Sequence, residues 1–179
     1  MDERRPDNGE RHEILDASRC VIIGSFRFTD KINEAIDQFE RNGIKVLAPR
    51  RGRVIQDIEG YKVLDVDEGR SPLEIQRNYF WQIKRADFIY VINPGGYIGT
   101  ESTWEIGWAL GAGKPVYASE PLDSNLPPQS QSVYHRNLAL TIRTMPLDEL
   151  ISKVNDGSLG LEDYFLGELN KQVEHSNNP

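Results

Sequence analysis

Residues 93–116 read NPGGYIGTESTWEIGWALGAGKPV, and the organisation of this stretch predicts the fold of the chain. An apolar run, Phe88 to Ile92, ends where the stretch begins, and a second apolar run starts at its last residue. Between them lie a glycine-rich turn, a helix that starts at Thr100 or Ser102, and Gly113, which ends that helix. Strand, glycine loop, helix and strand form a βαβ unit, whose backbone N–H groups can face an anion.

The segments on either side repeat the alternation of strand and helix. Apolar runs at residues 20–23 and 45–48 predict two further buried strands, and residues 138–142 predict a fifth. Apolar spacing and capping residues predict helices at residues 30–42, 71–85, 146–154 and 161–173. The sequence therefore predicts an α/β fold: a three-layer, doubly wound, five-stranded parallel sheet of the flavodoxin-like or Rossmann-like type.

The domain boundaries follow from the same pattern. Residues 1–18 are polar and predict a flexible leader, residues 19–155 the α/β domain, and residues 156–179 a C-terminal helix and tail. Residues 53–58 and 61–66 both alternate in polarity around a Glu-Gly pair, which predicts a hairpin or, alternatively, a long active-site loop. An apolar stripe within residues 161–169 predicts a homodimer or a higher homo-oligomer, in which the stripe packs against a partner subunit or the core.

Composition excludes several classes of function. The chain of 179 residues carries a net charge of −7, which argues against a nucleic-acid polymer as partner. No apolar segment reaches the roughly 20 residues of a membrane span, and the single cysteine, Cys20, suits a reducing compartment, so we expect a cytoplasmic protein without a membrane partner. His12, His135 and His175 show no metal-ligand spacing, and no metal or organic cofactor is expected.

Two loops are expected to meet where the strand order reverses. In a flavodoxin-like sheet that point lies between the first and third strands, and ligands bind there beyond the carboxyl ends of the strands. The predicted binding residues are Gly24, Ser25, Phe26, Arg27, Phe28, Asn93, Gly95, Gly96, Tyr97, Gly99, Thr100 and Ser102. The functional interpretation is a nucleotide or sugar-phosphate pocket in which Arg27 binds phosphate. In the alternative interpretation the glycines only make tight turns and Arg27 is a solvated surface charge.

Glu105 is the candidate catalytic residue. It stands in the first or second turn of the helix that follows the glycine loop, where the helix dipole favours an ionised carboxylate. Such a carboxylate can stabilise or capture the oxocarbenium-like centre that forms when a glycosidic C–N bond breaks. The structural alternatives are a solvated residue or a capping box with Ser102.

The motif around Glu105 resembles a known family. Residues 102–109, STWEIGWA, followed by GKPV at residues 113–116, resemble the signature of the nucleoside 2-deoxyribosyltransferase-like superfamily. The resemblance implies that the Glu before the Ile-Gly pair, here Glu105, attacks the anomeric carbon of the sugar. The loop at residues 24–27, GSFR, resembles that of the nucleoside 5′-monophosphate N-glycosidase branch, where it holds phosphate and sugar. Residues 94–100 also resemble a motif of the cytokinin-activating phosphoribohydrolases, which cleave the same kind of bond.

The chain departs from the deoxyribosyltransferases at one position. Those enzymes carry an Asp eight residues before the Asp that opens strand three, whereas this chain has Tyr79 there, with Asn78 adjacent. The usual group that protonates or orients the base is therefore absent at this position. Among the acids of the preceding loop, Asp67 is the one we expect to replace it.

Together these features predict an enzyme, an N-glycosidase or a nucleoside deoxyribosyltransferase. It would cleave the N-glycosidic bond of a nucleoside or nucleoside 5′-monophosphate by hydrolysis or glycosyl transfer, with Glu105 as nucleophile. The small-molecule nucleoside or nucleotide is the expected partner. The alternative is a nucleotide-binding module without catalysis, which the missing Asp would explain.

Overall fold

Five parallel strands form one sheet in the computed structural model, which describes residues 18–58, 60–122 and 142–159. In the order of the sheet they are β2, β1, β5, β6 and β7. Their bounds are Lys45–Ala48 (β2), Arg19–Gly24 (β1), Phe88–Ile92 (β5), Val116–Ala118 (β6) and Arg143–Thr144 (β7). This is the flavodoxin-like order, and it confirms the predicted α/β doubly wound sheet.

Helices cover both faces of the sheet. The described helices are α1 (Thr29–Arg41), α2 (Pro72–Arg85), α3 (Thr100–Gly111) and α4 (Leu147–Asn155). Successive side chains of β1 alternate between two apolar clusters, Cys20 and Ile22 packing with α1 and α4, and Val21 and Ile23 packing with α2 and α3. The central strands are therefore buried on both faces, which explains why their sequences are continuously apolar.

The irregular stretch after β2 contains an antiparallel hairpin. Its strands are β3 (Val54–Ile58) and β4 (Tyr61–Leu64), as the alternation of polarity predicts. β3 is exposed along its whole length, whereas Val63 and Leu64 of β4 are buried. The hairpin therefore packs against the domain through β4 alone.

The start of α2 agrees with its sequence signature. The hydroxyl of Ser71 accepts from the backbone N–H of Glu74, and the carboxylate of Glu74 accepts from the N–H of Ser71, so both halves of the capping box are present. Pro72 occupies the first helical position, where its missing N–H costs nothing.

The structure differs from the sequence interpretation at the start of α3. The residue before the helix is Gly99, which offers no capping side chain, while Ser102 lies inside the helix and is buried. A capping box between Ser102 and Glu105 is therefore wrong. β7 begins at Arg143, just after the predicted fifth strand, most of which lies outside the described residues.

Several other predictions fall on residues that the structure does not describe. The leader lies almost entirely within residues 1–17, and the helix at 161–173 with its apolar stripe lies beyond residue 159. The homo-oligomer therefore stays a prediction. Within residues 18–58, 60–122 and 142–159, no helix has the length and apolar character needed to cross a bilayer.

Gly24 allows β1 to approach β5 closely at the point where the strand order reverses. A Cβ at this position would lie 2.8 Å from the carbonyl oxygen of Ile92 and 3.5 Å from Cδ1 of Ile32. The first contact is with the backbone of the neighbouring strand, so a side chain here would push the two central strands apart. Gly24 thus has a packing role as well as a predicted place in the binding loop.

We predict that Gly24→Ala lowers the free energy of unfolding by about 1–3 kcal/mol, the usual cost of an overpacked core. The matched control is Gly107→Ala on α3, where a Cβ meets no atom within 4 Å. Because Gly is a poor helix former, this second change should stabilise the protein by up to about 1 kcal/mol. Urea denaturation measures both changes, and a neutral Gly24→Ala would contradict the steric account.

Candidate active site

A cavity of about 320 Å³ opens where the carboxyl ends of β1, β2 and β5 meet α2 and α3. This volume falls within the range of pockets that take small molecules. The segment after β1, the segment after β2, the hairpin, the turn before α2 and the two helices all contribute to its wall. It lies at the reversal of strand order, the position where open α/β sheets bind ligands.

The cavity brings many of the predicted residues together. The predicted residues in its wall are Gly24, Ser25, Phe26, Arg27, Asp67, Tyr97, Gly99, Ser102 and Glu105. The wall does not include Phe28, Asn93, Gly95, Gly96 or Thr100. The side chain of Phe28 packs edge-on against Tyr97, with ring centroids 6.1 Å apart, and so supports the wall from behind.

Asn93 has a structural role in place of the expected ligand contact. Its side chain is fully buried and its amide donates to the carbonyl oxygen of Glu120 at 2.7 Å, while its own oxygen accepts from the hydroxyl of Ser119. The N–H of Gly95 donates to the carboxylate of Glu120 at 2.8 Å. These bonds tie the turn after β5 to the segment after β6. The polar groups of this turn therefore meet protein groups, which sequence spacing alone did not indicate.

Glu105 reaches the cavity from α3 and is almost completely buried. The residue is 8% exposed, and its Oε1 accepts a hydrogen bond from Nε2 of Gln76 on α2 at 3.1 Å. Burial raises the pKa of Glu105 to about 8, the nearby charge of Glu101 adds to this, and the hydrogen bond from Gln76 opposes it. The carboxyl group is therefore mainly protonated at neutral pH in the free protein.

Burial of Glu105 therefore opposes the ionisation that the helix dipole was expected to favour. α3 begins at Thr100, so Glu105 is its sixth residue and lies beyond the first turn, where the dipole acts most strongly. Burial is the largest cause of the raised pKa of Glu105. Glu105 becomes an anion only when the pH rises or when a ligand favours the charged form.

The cavity wall also contains cationic side chains. Four line the cavity, namely Arg27, Arg50, Lys62 and Arg70, each from a different segment. The guanidinium carbon of Arg27 lies 4.1 Å from the ring centroid of Tyr97, a cation–π contact that holds it beside the mouth of the cavity.

Asp67 lies in the wall but is engaged by two arginines. Its Oδ1 is 3.4 Å from Arg50 and 3.2 Å from Arg70, and Arg50 also donates to the carbonyl oxygen of Val66. Both arginines therefore share one carboxylate oxygen of Asp67. This arrangement favours a role for Asp67 in positioning the arginines over the predicted role of a proton donor.

Sequence reasoning missed the contribution of α2. Gln76, Tyr79 and Gln82 line the cavity at intervals of three residues, a spacing that places them on one side of a helix. The hydroxyl of Tyr79 donates to the carbonyl oxygen of Ile22. The spacing was visible in the sequence, but only the packing of α2 against α3 brings Gln76 to Glu105.

Comparisons with known proteins establish the fold alone. No family model matches the chain, and no curated protein matches it in sequence. A conserved protein from Enterococcus faecalis V583 has a similar structure, with 15% identity and a TM-score of 0.54, over 78% of this chain and 98% of that chain. BlsM gives 19% identity and a TM-score of 0.51, over 92% and 96% of the two chains. The CMP N-glycosidase BcmB of Clostridium botulinum gives 16% identity and a TM-score of 0.47, over 77% of this chain and 98% of that chain.

The buried carboxyl group predicts a pH-dependent effect of Glu105→Gln on stability. Unfolded Glu ionises near 4.5, whereas the folded residue keeps its proton to about 8, so unfolding releases a proton between these values and wild-type stability falls as pH rises through them. Each pKa unit corresponds to about 1.4 kcal/mol. The neutral Gln avoids this loss. We expect Glu105→Gln to melt at least about 2 °C above the wild type at pH 9, and the gain to shrink toward pH 5.

The control for this measurement is Glu149→Gln, an exposed residue of α4 on the opposite face of the sheet. Scanning calorimetry of this variant measures the effect of the same substitution at an exposed position away from the cavity. A constant difference between Glu105→Gln and the wild type from pH 5 to pH 9 would contradict the raised pKa.

Proposed function

We propose that this cavity binds a nucleoside 5′-monophosphate and that the protein cleaves its N-glycosidic bond, with Glu105 as nucleophile. The proposal rests on one observation: the buried carboxyl group of Glu105 stands in the wall of a cavity that cationic side chains also line. A glycosidase needs a carboxylate at the anomeric carbon, and a nucleotide needs positive charge for its phosphate.

The cationic side chains of the cavity favour a nucleotide over a nucleoside. Four cationic side chains line the cavity. Two acids pair with three of them: Asp57 with Lys62, and Asp67 with Arg50 and Arg70. Glu101 adds a further acid to the wall, and burial opposes the charge of Glu105. Cationic side chains thus gather at this cavity, although the whole chain carries a charge of −7. Arg27 is the proposed phosphate ligand, because it stacks on Tyr97 next to Ser25 and so presents its N–H groups in a fixed plane.

Glu105 acts in two steps in the proposed reaction. A carboxylate oxygen attacks C1′, the C–N bond breaks, and its electron pair leaves with the base, which gives a glycosyl ester of Glu105. Water then attacks C1′ and releases the sugar phosphate and the free carboxylate, and the proton that water gives up completes the neutral base. In a transfer reaction a second base would take the place of water. Gln76 holds the carboxyl group through Oε1 and leaves the second oxygen for the sugar.

The second candidate is a nucleotide-binding module without catalysis. A protonated Glu105 favours it, since a neutral carboxylic acid is not a nucleophile but can donate a hydrogen bond to a bound ligand. A panel of nucleosides and nucleoside 5′-monophosphates separates the two functions. Free base, measured by chromatography, is expected for the enzyme, and saturable binding without any base release would favour the module.

Replacement of Glu105 tests the nucleophile directly. Gln has nearly the same shape and can keep a hydrogen bond to Gln76, but it cannot attack C1′. We expect Glu105→Gln to lose at least ~100-fold in kcat with substrate affinity largely retained. Glu149→Gln is the matched control, because it makes the same chemical change on an exposed helix far from the cavity. Full turnover by the Glu105 variant would disprove its role.

The pH profile separates a nucleophile from a general acid. The groups that face Glu105 include Glu101 on the same helix, Gln76 and Tyr79 on α2, and Tyr61 on β4. Because kcat/KM reports the free enzyme, a nucleophilic Glu105 requires kcat/KM to rise as pH increases through about 8. A fall of kcat/KM over the same range would instead assign Glu105 the role of proton donor.

A further inference from the structure

We propose that the nucleotide cleaved here carries a positively charged base, which leaves as a neutral molecule and needs no proton from the protein. The inference rests on the proposed function and names the substrate class for the same cavity. It follows from which acids the cavity wall contains and from how its charges are distributed.

The described part of the cavity wall offers no carboxylic acid to protonate a departing base. Its carboxyl groups belong to Asp67, Glu101 and Glu105. Asp67 forms ion pairs with both Arg50 and Arg70 and is engaged by them. Glu101 is exposed to solvent at the first turn of α3. Glu105 is the nucleophile and must give up its own proton before it attacks.

Three tyrosines line the same wall, and none is placed to give a proton to the base. Tyr97 lies under the guanidinium of Arg27, at the end of the cavity proposed for the phosphate. The hydroxyl of Tyr79 is buried and already donates to the carbonyl oxygen of Ile22. Burial raises the pKa of Tyr61 to about 12, and the charges of Glu105 and Asp67 act in the same direction. A neutral purine or pyrimidine, which leaves faster once protonated, therefore finds no positioned acid on these elements.

A cationic base removes this requirement. When the carboxylate of Glu105 attacks C1′, the electron pair of the C–N bond moves onto the ring nitrogen and cancels its positive charge. The base leaves neutral and the glycosyl group stays on Glu105. Water then cleaves the ester at C1′, which releases the sugar phosphate, restores the carboxylate and returns one proton to solvent. No oxidant, reductant or additional acid enters the balance.

The charges around Glu105 fit such a substrate. Glu101 and Glu105 are four residues apart on α3, so both acids project from one side of the helix. A positive ring beside them stabilises the ionised form of Glu105 and opposes the effect of burial. The four cationic side chains come from other segments of the chain, and Arg27 among them is the proposed ligand of the phosphate. The cavity thus complements a nucleotide with a positive base and a negative phosphate.

The first test compares base release from matched nucleotides. Nicotinamide mononucleotide carries a cationic base, whereas CMP, UMP and AMP carry neutral bases. We expect kcat/KM for nicotinamide release to exceed the value for each neutral base by at least ~10-fold. Faster release of a neutral base would overturn the inference and leave the proposed function intact. Release of no base from any of the four would overturn both.

The second test measures binding and does not depend on turnover. Its probes are the carbocyclic analogue of nicotinamide mononucleotide, which has no glycosidic bond to cleave, and the dihydro form of that analogue, whose ring is neutral. At pH 9, where Glu105 is ionised in the free protein, calorimetry should show at least ~10-fold tighter binding of the cationic probe to the wild type. Glu105→Gln should lose most of this preference and Glu149→Gln should keep it. Equal affinities in the wild type would overturn the inference.

Discussion

The parallel pairing of β1 with β5 at the centre of the sheet is the constraint on which the site depends. The two strands run side by side from Cys20 and Phe88 to Gly24 and Ile92, and the absence of a side chain at Gly24 lets them stay in contact to the end. The helix after β1 then covers one face and the helix after β5 the other. The two connecting segments must diverge, and the space between them becomes the cavity.

That geometry determines how deeply Glu105 is buried and which groups surround it. α3 carries it into the crevice from the face that α2 also covers, so the carboxyl group loses water and gains one hydrogen bond, from Gln76. One neutral donor offsets only part of the desolvation of a charge. Its protonated state in the free protein is therefore a direct result of the packing of α2 against α3. In the proposed reaction, a bound cationic base would favour the charged form of Glu105 and so oppose the effect of burial.

The sequence predicted those features that depend on local pattern. The continuous apolar runs identified the central strands, because a strand covered on both faces is expected to have such a run. The Ser-Pro-x-Glu signature placed the start of α2, and the strand order followed from the alternation of strands and helices. The place of Arg27 and Glu105 at one cavity also followed, since the reversal of strand order brings their segments together.

What the sequence could not predict depends on contacts between distant elements. In the sequence Asn93 is a candidate ligand residue, but in the structure its amide donates a hydrogen bond to the segment after β6. In the sequence Asp67 is an acid of a loop, but in the structure it pairs with two arginines. Gln76 belongs to no recognisable motif, and it reaches Glu105 only because α2 packs against α3 at that position. The raised pKa of Glu105 was missed for the same reason, since a helix position indicates a dipole but not the degree of burial.

The most direct test of this account is the titration of the Glu105 side chain itself. The carboxyl carbon of glutamate can be labelled with ¹³C and followed by NMR in the free protein, and the resonance that is missing from Glu105→Gln identifies residue 105. The account predicts that this resonance titrates with a midpoint of about 8, far above the 4.5 of an exposed glutamate. A midpoint near 4.5 would show that the carboxylate is charged at neutral pH, and would contradict the account.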